Sequence, residues 1–341
     1  MSNKTWNEKR NRGKVLLIVE GNHEKNKLLT RILQTFPEMN IDKNNILIFE
    51  TNIYILLSKI IEEYGDDWYE QDIDLPYLFS KIKGYAQRES KKNYTNVLLI
   101  FDYERHDSNF SQIGIERMQK YFSNSEDMGK LYINYPMVES YMDLKGLNDA
   151  SFEDRTISSN MTNGDEYKNR VRNTFVSKLI KFPIKIQDIL QNNLSVNTDI
   201  ASHYLNHILE AKSREEVANI TDLCLKEYVD CKQLKTFTFQ LLHMFDELNF
   251  LEDNANYNQY MRFVFKQIVS HNIKKANKIQ NGVYTIEEKD LKTCFESISL
   301  LDILIQQNIS SNPRGLAEIM VLNTSVFLLP DYNTELIWET Q

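Results

Sequence analysis

The chain has 341 residues, 42% of them hydrophobic and 26% charged, which is enough apolar material for a sizeable core. At roughly 100–200 residues per domain this length suggests two domains. The 6 prolines and 10 glycines, set against 18 tyrosines and 17 phenylalanines, exclude a disordered or fibrous chain, and the net charge of −8 argues against a nonspecific nucleic-acid coat protein.

Residues 1–14 are polar and basic with no apolar centre, so no signal peptide is expected. No run approaches the ~18 uncharged apolar residues of a membrane span. Cys224, Cys231 and Cys294 lie in helical pattern at spacings that suit no metal site, and are expected as buried or free thiols in a reducing cytoplasm.

The first part of the chain alternates strand-like and helix-like text. Residues 14–19 form a continuous aliphatic run, as a strand buried on both faces requires. Residues 25–36 carry apolar positions at helical spacing and stop at Pro37. A strand over 45–49 and a helix over 53–64 follow, then a helix over 75–88. Residues 96–101 read as a strand running straight into Asp102, 113–122 as a helix, and 131–134 as a strand closed by Pro136. This order implies an α/β fold with a mostly parallel sheet flanked by helices. Function in such sheets gathers at the carboxyl ends of the strands.

A polar stretch over 148–165 reads as a linker, which divides the chain into an α/β domain over 1–147 and an all-α domain over 166–341. In that second part, residues 167–180, 201–211, 214–229, 235–250, 257–277 and 291–308 show helical periodicity. The first of these is expected to end before Pro183, and 314–327 to form one more helix.

Acids mark three strand ends. Glu20 follows the first strand and precedes Gly21; Asp102 and Glu104 follow the third, spaced so that both point to one side of an extended chain. If the first and third strands are neighbours, these three carboxylates converge. Close carboxylates stay ionised cheaply only around a cation, and oxygen-only ligation suits Mg²⁺ or Mn²⁺, the ions of phosphoryl-transfer chemistry. Glu139, past the fourth strand, is either a further ligand or an ordinary first-turn helix acid. Glu24 either joins the metal site or pairs with Lys27. His23 and His106 flank the acids as acid/base or phosphate-contacting groups, or as exposed loop histidines.

The acid after the first strand, in Glu20-Gly21-Asn22-His23-Glu24, and the Asp102/Glu104 pair after the third resemble the TOPRIM domain of topoisomerases, primases and small nucleases. Together with Asn134-Tyr135-Pro136-Met137-Val138-Glu139, they look most like the RloB-like and overcoming-lysogenization-defect-type nucleases of bacterial phage-defence systems. The resemblance covers about the first 145 residues. It implies a TOPRIM-like domain whose Glu20, Asp102 and Glu104 are catalytic, with Glu24 and Glu139 as further ligands of Mg²⁺ or Mn²⁺. It also implies cleavage of DNA or RNA, and work with a separate ATPase or as a homo-oligomer. Glu104 stands where the family pattern has Asp; it keeps the charge but adds a methylene. The rivals are a non-catalytic, regulatory binding module and another Mg²⁺-dependent phosphohydrolase. Two weaker signals lie in the helical part. His203 and His207 have zinc-helix spacing but lack the glutamate between them, and Lys274, Lys275 and Lys278 form a basic cluster read as a solvated helix end.

Overall fold

The computed structural model describes residues 14–83, 90–160, 164–248, 251 and 255–338. Strand β1 (Val15–Val19) is buried from Leu16 onward, as its unbroken aliphatic run requires. A π-helical segment (Glu24–Leu29) leads into α1 (Thr30–Thr35), which stops before Pro37. Then come β2 (Ile46–Ile48), α2 (Ile53–Tyr64), α3 (Leu75–Ile82), β3 (Asn96–Asp102), α4 (Gln112–Tyr121), β4 (Ser123–Asn124) and β5 (Gly129–Tyr135). Asn52, Asp74 and Ser111 cap α2, α3 and α4 by accepting from the N–H three residues on, which fixes where each helix begins. The helix expected over 75–88 is seen as far as Ile82; residues 84–89 lie outside the described residues.

The main sheet is ordered β2-β1-β3-β5-β4, with parallel pairing from β2 through β5. The short β4 pairs antiparallel with the start of β5. The fold class expected from the sequence, α/β with a mostly parallel sheet flanked by helices, is therefore what the chain adopts. Because β1, β3 and β5 run the same way, their carboxyl ends share one edge of the sheet.

Beyond β5 the chain carries β6 (Thr156–Ser158), α5 (Gly164–Arg172), α6 (Phe175–Asp188), α7 (Thr198–Ile208), α8 (Arg214–Leu225), α9 (Cys231–Leu248) and α10 (Tyr257–Asn281). It ends with α11 (Leu291–Glu296), α12 (Leu300–Ser310), β7 (Glu318–Met320), β8 (Leu322–Asn323) and α13 (Leu328–Tyr332). Two compact units emerge: Met1–Asp143 with Asp149–Asn169 and Ile268–Gln341, and Leu144–Asn148 with Arg170–Gln267. They interleave along the chain instead of following one another at 147 and 166. Among the described residues, no helix is long and apolar enough to cross a membrane.

Three expectations are corrected. The polar stretch over 148–165 is no linker, because its polar side chains bind one another. Arg155 donates to Asp149 at 2.8 Å, to Ser151 at 2.6 Å and to the Asp143 backbone carbonyl, and residues 156–158 form β6. The segment over 314–327 is not a helix. Ala317 takes a positive φ of 53°, and the β-branched and aliphatic residues after it make β7, paired antiparallel with β6, and β8, which joins the main sheet beside the end of β5. Helix α6 does not stop before Pro183 but runs through it to Asp188. A proline there leaves the carbonyl four residues earlier without its helical donor. That carbonyl, on Leu179, accepts from the Tyr257 hydroxyl at 2.9 Å instead.

The basic cluster on α10 is also not a solvated helix end. Lys275 is 1% exposed, and its ammonium donates to the carbonyls of Phe152 (3.3 Å), Glu153 (2.5 Å) and Arg155 (3.2 Å). Lys278 pairs with Glu153 at 2.9 Å and Asp154 at 2.6 Å. Burial pulls the Lys275 ammonium down to about 8, with the Lys278 charge adding to the effect. Removing the ammonium strands three carbonyls, each costing about 1–3 kcal/mol if left unsatisfied. Lys275→Met is therefore expected to lower the unfolding free energy in urea by at least ~2 kcal/mol, and Lys274→Met by under about 0.5 kcal/mol.

Candidate active site at the carboxyl edge of the sheet

The register of the two central strands builds the site. Val19 lies opposite Ile100, the Glu20 N–H donates to the Ile100 carbonyl at 3.2 Å, and the Asp102 N–H donates to Glu20 Oε2 at 3.1 Å. Glu20 and Asp102 thus stand on adjacent strand ends, held together by backbone. On the next strand, Asp102 lies opposite Asn134, whose amide donates to Asp102 Oδ1 at 3.3 Å. Asn134 is wholly buried, and its own carbonyl oxygen accepts from Ser325 Oγ at 2.6 Å.

Glu104 and Asp107 are gathered by Asn52, the residue that caps α2. Its amide nitrogen donates to Glu104 at 2.9 Å and to Asp107 at 2.6 Å, while its oxygen accepts from the Ile55 N–H. Glu24 is buried and accepts from the Gly21 N–H at 2.7 Å, closing the turn after β1. Lys27 binds Glu139, not Glu24: its Nζ lies 2.7 Å from Glu139 Oε1, and His23 Nδ1 is 3.3 Å from the same oxygen. The other Glu139 oxygen, Oε2, is buried and has no hydrogen-bond partner among the described residues.

Glu20, Glu24, Asp102, Glu104 and Glu139 all line one cavity of about 300 Å³. His23 and His106 also face it. The rest of its lining comes from the segment expected to be a linker (Ser158, Ser159 and Gly164), from Lys168 on α5 and from Ile319 on β7. Ser159 Oγ is buried there with no partner among the described residues. Asn52, Asn134, Ser159 and Lys168 are the residues that sequence reading missed. Asn134 stood inside the quoted Asn-Tyr-Pro phrase, and Asn52 is visible beforehand only as a helix cap.

The electrostatics follow from crowding acids away from water. Burial, and next the Glu104 charge, push the Glu20 carboxyl up to about 8, against the hydrogen bond from Asp102. Burial also raises Glu24 and raises Asp102 well above the usual range, Asp102 being further raised by Glu20, Glu24 and Glu139. Burial opposes ionisation of Glu139 too, but the hydrogen bond and charge of Lys27, with the Lys168 charge, hold it below its ordinary value. Oxygen-only donors of this kind are what hard divalent cations take. As the side chains stand, each carboxylate is turned onto a protein donor. Among the described residues, no three His, Cys, Asp or Glu groups are drawn together closely enough to hold a metal ion.

The two histidines of α7, His203 and His207, lie exposed with ring centroids 4.5 Å apart, away from these acids in the sequence and in a different compact unit. The three cysteines are free. No family model, no curated protein and no solved structure matches this chain.

A carboxyl whose pKa rises on folding binds more protons folded than unfolded, so stability falls as pH climbs from its unfolded to its folded value. For Glu20 that window runs from about 4.5 to about 8. In chelator-treated protein the melting temperature is expected to drop between about pH 5.5 and pH 8. Glu20→Gln should flatten that slope and stabilise the protein at pH 8 by on the order of 1–2 kcal/mol. A thermal melt series across this range, compared for the two proteins, reads the effect directly.

Proposed function

We propose that this chain is a metal-dependent nuclease with a TOPRIM-like domain, hydrolysing phosphodiester bonds of DNA or RNA. The observation that carries the reading is the seating of Glu20 and Asp102 on adjacent parallel strand ends in one cavity, both with raised pKa values. The donor set supports a hard cation: five carboxylates line the cavity, and Glu139 Oε2 is buried with no partner among the described residues. Asp102, Glu20 and Glu104 would hold Mg²⁺ or Mn²⁺, with Glu24 and Glu139 within the same cavity. Once bound, the ion supplies neutralisation of phosphate charge and activation of an attacking oxygen.

The protein's own groups do the rest. Asn134 and Asn52 orient Asp102 and Glu104, each by a donated N–H. Glu20, whose carboxyl pKa is raised by burial in the metal-free protein, is either held ionised as a ligand of the ion or, standing off it, relays a proton to a leaving oxygen. Lys168, which lines the same cavity, supplies a positive charge for a phosphate oxygen. The resemblance to phage-defence nucleases further suggests an antiviral effector that acts with a separately encoded ATPase or as a homo-oligomer; the sequence has no G-x-x-x-x-G-K-[ST] loop of its own.

One observation favours a rival. Glu104 is tied up by Asn52, as would suit a regulatory module whose acids have lost their ion. Cleavage separates the two. Purified protein is expected to degrade labelled polynucleotides with Mg²⁺ or Mn²⁺ and to stop with chelator. Glu20→Gln and Asp102→Asn should each lower the rate at least ~100-fold while the protein stays folded, since several kcal/mol of transition-state stabilisation depend on the ion. His203→Ala, an exposed change in another compact unit, should leave the rate within about twofold. Full cleavage by folded Glu20→Gln sinks the assignment, and no cleavage by the native chain favours the regulatory module.

A further inference from the structure

The chain is acidic overall, yet residues 167–187 contain Lys168, Arg170, Arg172, Lys178, Lys181 and Lys185 and no acid. The structure gathers part of this run. Arg172, Lys178, Lys181 and Lys185 line a single cavity of about 360 Å³, floored by Phe182, Met244 and Leu248. All of it belongs to the unit that contains α6 and α9, and the acidic cavity does not. Arg172, Lys178 and Lys185 are exposed and Lys181 is half-buried. Among the described residues one carboxylate, Glu247, shares the wall.

We infer that this basic cavity is a docking surface for the sugar–phosphate backbone of a nucleic-acid strand. The choice of nucleic acid as partner rests on the nuclease reading above; the surface itself rests on its own residues. Lys178, Lys181 and Lys185 share one face of α6, and seven residues of helix span ~10 Å, so these cations lie along a line that a strand's backbone can follow. Arg172, Lys178 and Lys185 stand exposed on this one cavity, and a polyanion complements their charge. The apolar lining residues Phe182, Met244 and Leu248 are buried; Ile184, between Lys181 and Lys185, is 48% exposed, and one outward apolar side chain is less than the apolar face a lipid bilayer takes, so the surface suits phosphates better. Sequence-independent contact of this kind positions a substrate without reading its bases.

The test measures binding with cleavage silenced. In chelator, full-length Glu20→Gln protein is titrated into fluorescein-labelled single-stranded RNA and DNA across a salt series. Adding Arg172→Gln, Lys178→Gln and Lys185→Gln together is expected to weaken binding at least ~10-fold and to make the salt slope shallower by about 2, one phosphate contact being worth roughly 0.7–0.9 of slope. Lys178→Arg with Lys185→Arg should keep both. The exposed pair Lys232→Gln and Lys235→Gln, on the same unit, should change neither. An unchanged affinity and slope in the triple variant overturns the surface. So does equally tight binding of inorganic phosphate, which would make this a small-anion site. So does a preference for phosphatidylserine vesicles over either strand, lost in the triple variant. Cleavage by the native chain is scored separately. If it is absent while this salt-dependent binding holds, the nuclease reading falls and the surface stands; if it is present while binding ignores the three cations, the surface alone falls.

Discussion

Parallel hydrogen bonding between β1 and β3 sets two acids side by side, and most of the site follows from that register. Val15 to Val19 pair residue by residue with Asn96 to Ile100, so Glu20, just past β1, and Asp102, the last residue of β3, meet at the same edge. A slip of one residue would turn every side chain of β1 to the other face and send the neighbouring acids apart. The register is in turn held by burial: from Leu16 to Val19 and from Leu98 to Phe101 the side chains are essentially inaccessible. The hydrophobic core fixes the strands, the strands fix their ends, and the ends carry the carboxylates.

The cost of that placement is electrostatic. Carboxylates crowded away from water repel one another and lose solvation, and the protein meets this by giving each one a donor. Gly21 serves Glu24, the Asp102 backbone serves Glu20, Asn134 serves Asp102, Asn52 serves Glu104, and Lys27 serves Glu139. These donors are anchored in distant parts of the chain. Asn134 is held by Ser325, and Asn323 of β8 donates to the Val138 carbonyl at 2.9 Å while its own backbone N–H reaches Asn272. The last strand therefore supports the turn that carries Glu139, which gives the return of the chain to the sheet a role in positioning the acids.

The sheet and its acids were legible because buried parallel strands leave long aliphatic runs, and an acid immediately after such a run stands out. The helix over 53–64 was legible to the residue, since Asn52 and Gly65 punctuate it. What periodicity could not show is where polar residues bind one another. The stretch over 148–165 reads as a solvated linker by composition, yet Arg155, Asp149 and Ser151 satisfy one another and Lys275 closes three of its carbonyls. Pro183 reads as a helix stop because the remedy, the Tyr257 hydroxyl on Leu179, lies 78 residues away. The rest of the acidic cavity's lining was invisible for the same reason: Ser159 and Lys168 reach it only through tertiary folding.

The central claim is that the acidic cavity draws in a divalent cation, and the most direct measurement is anomalous diffraction from crystals grown with Mn²⁺ near neutral pH. The account predicts an anomalous peak between Glu20 and Asp102, with Glu104 turned from Asn52 toward it. A well-diffracting Mn²⁺ crystal with no peak in that cavity, its carboxylates still bound to Asn52, Asn134 and the backbone, would contradict it.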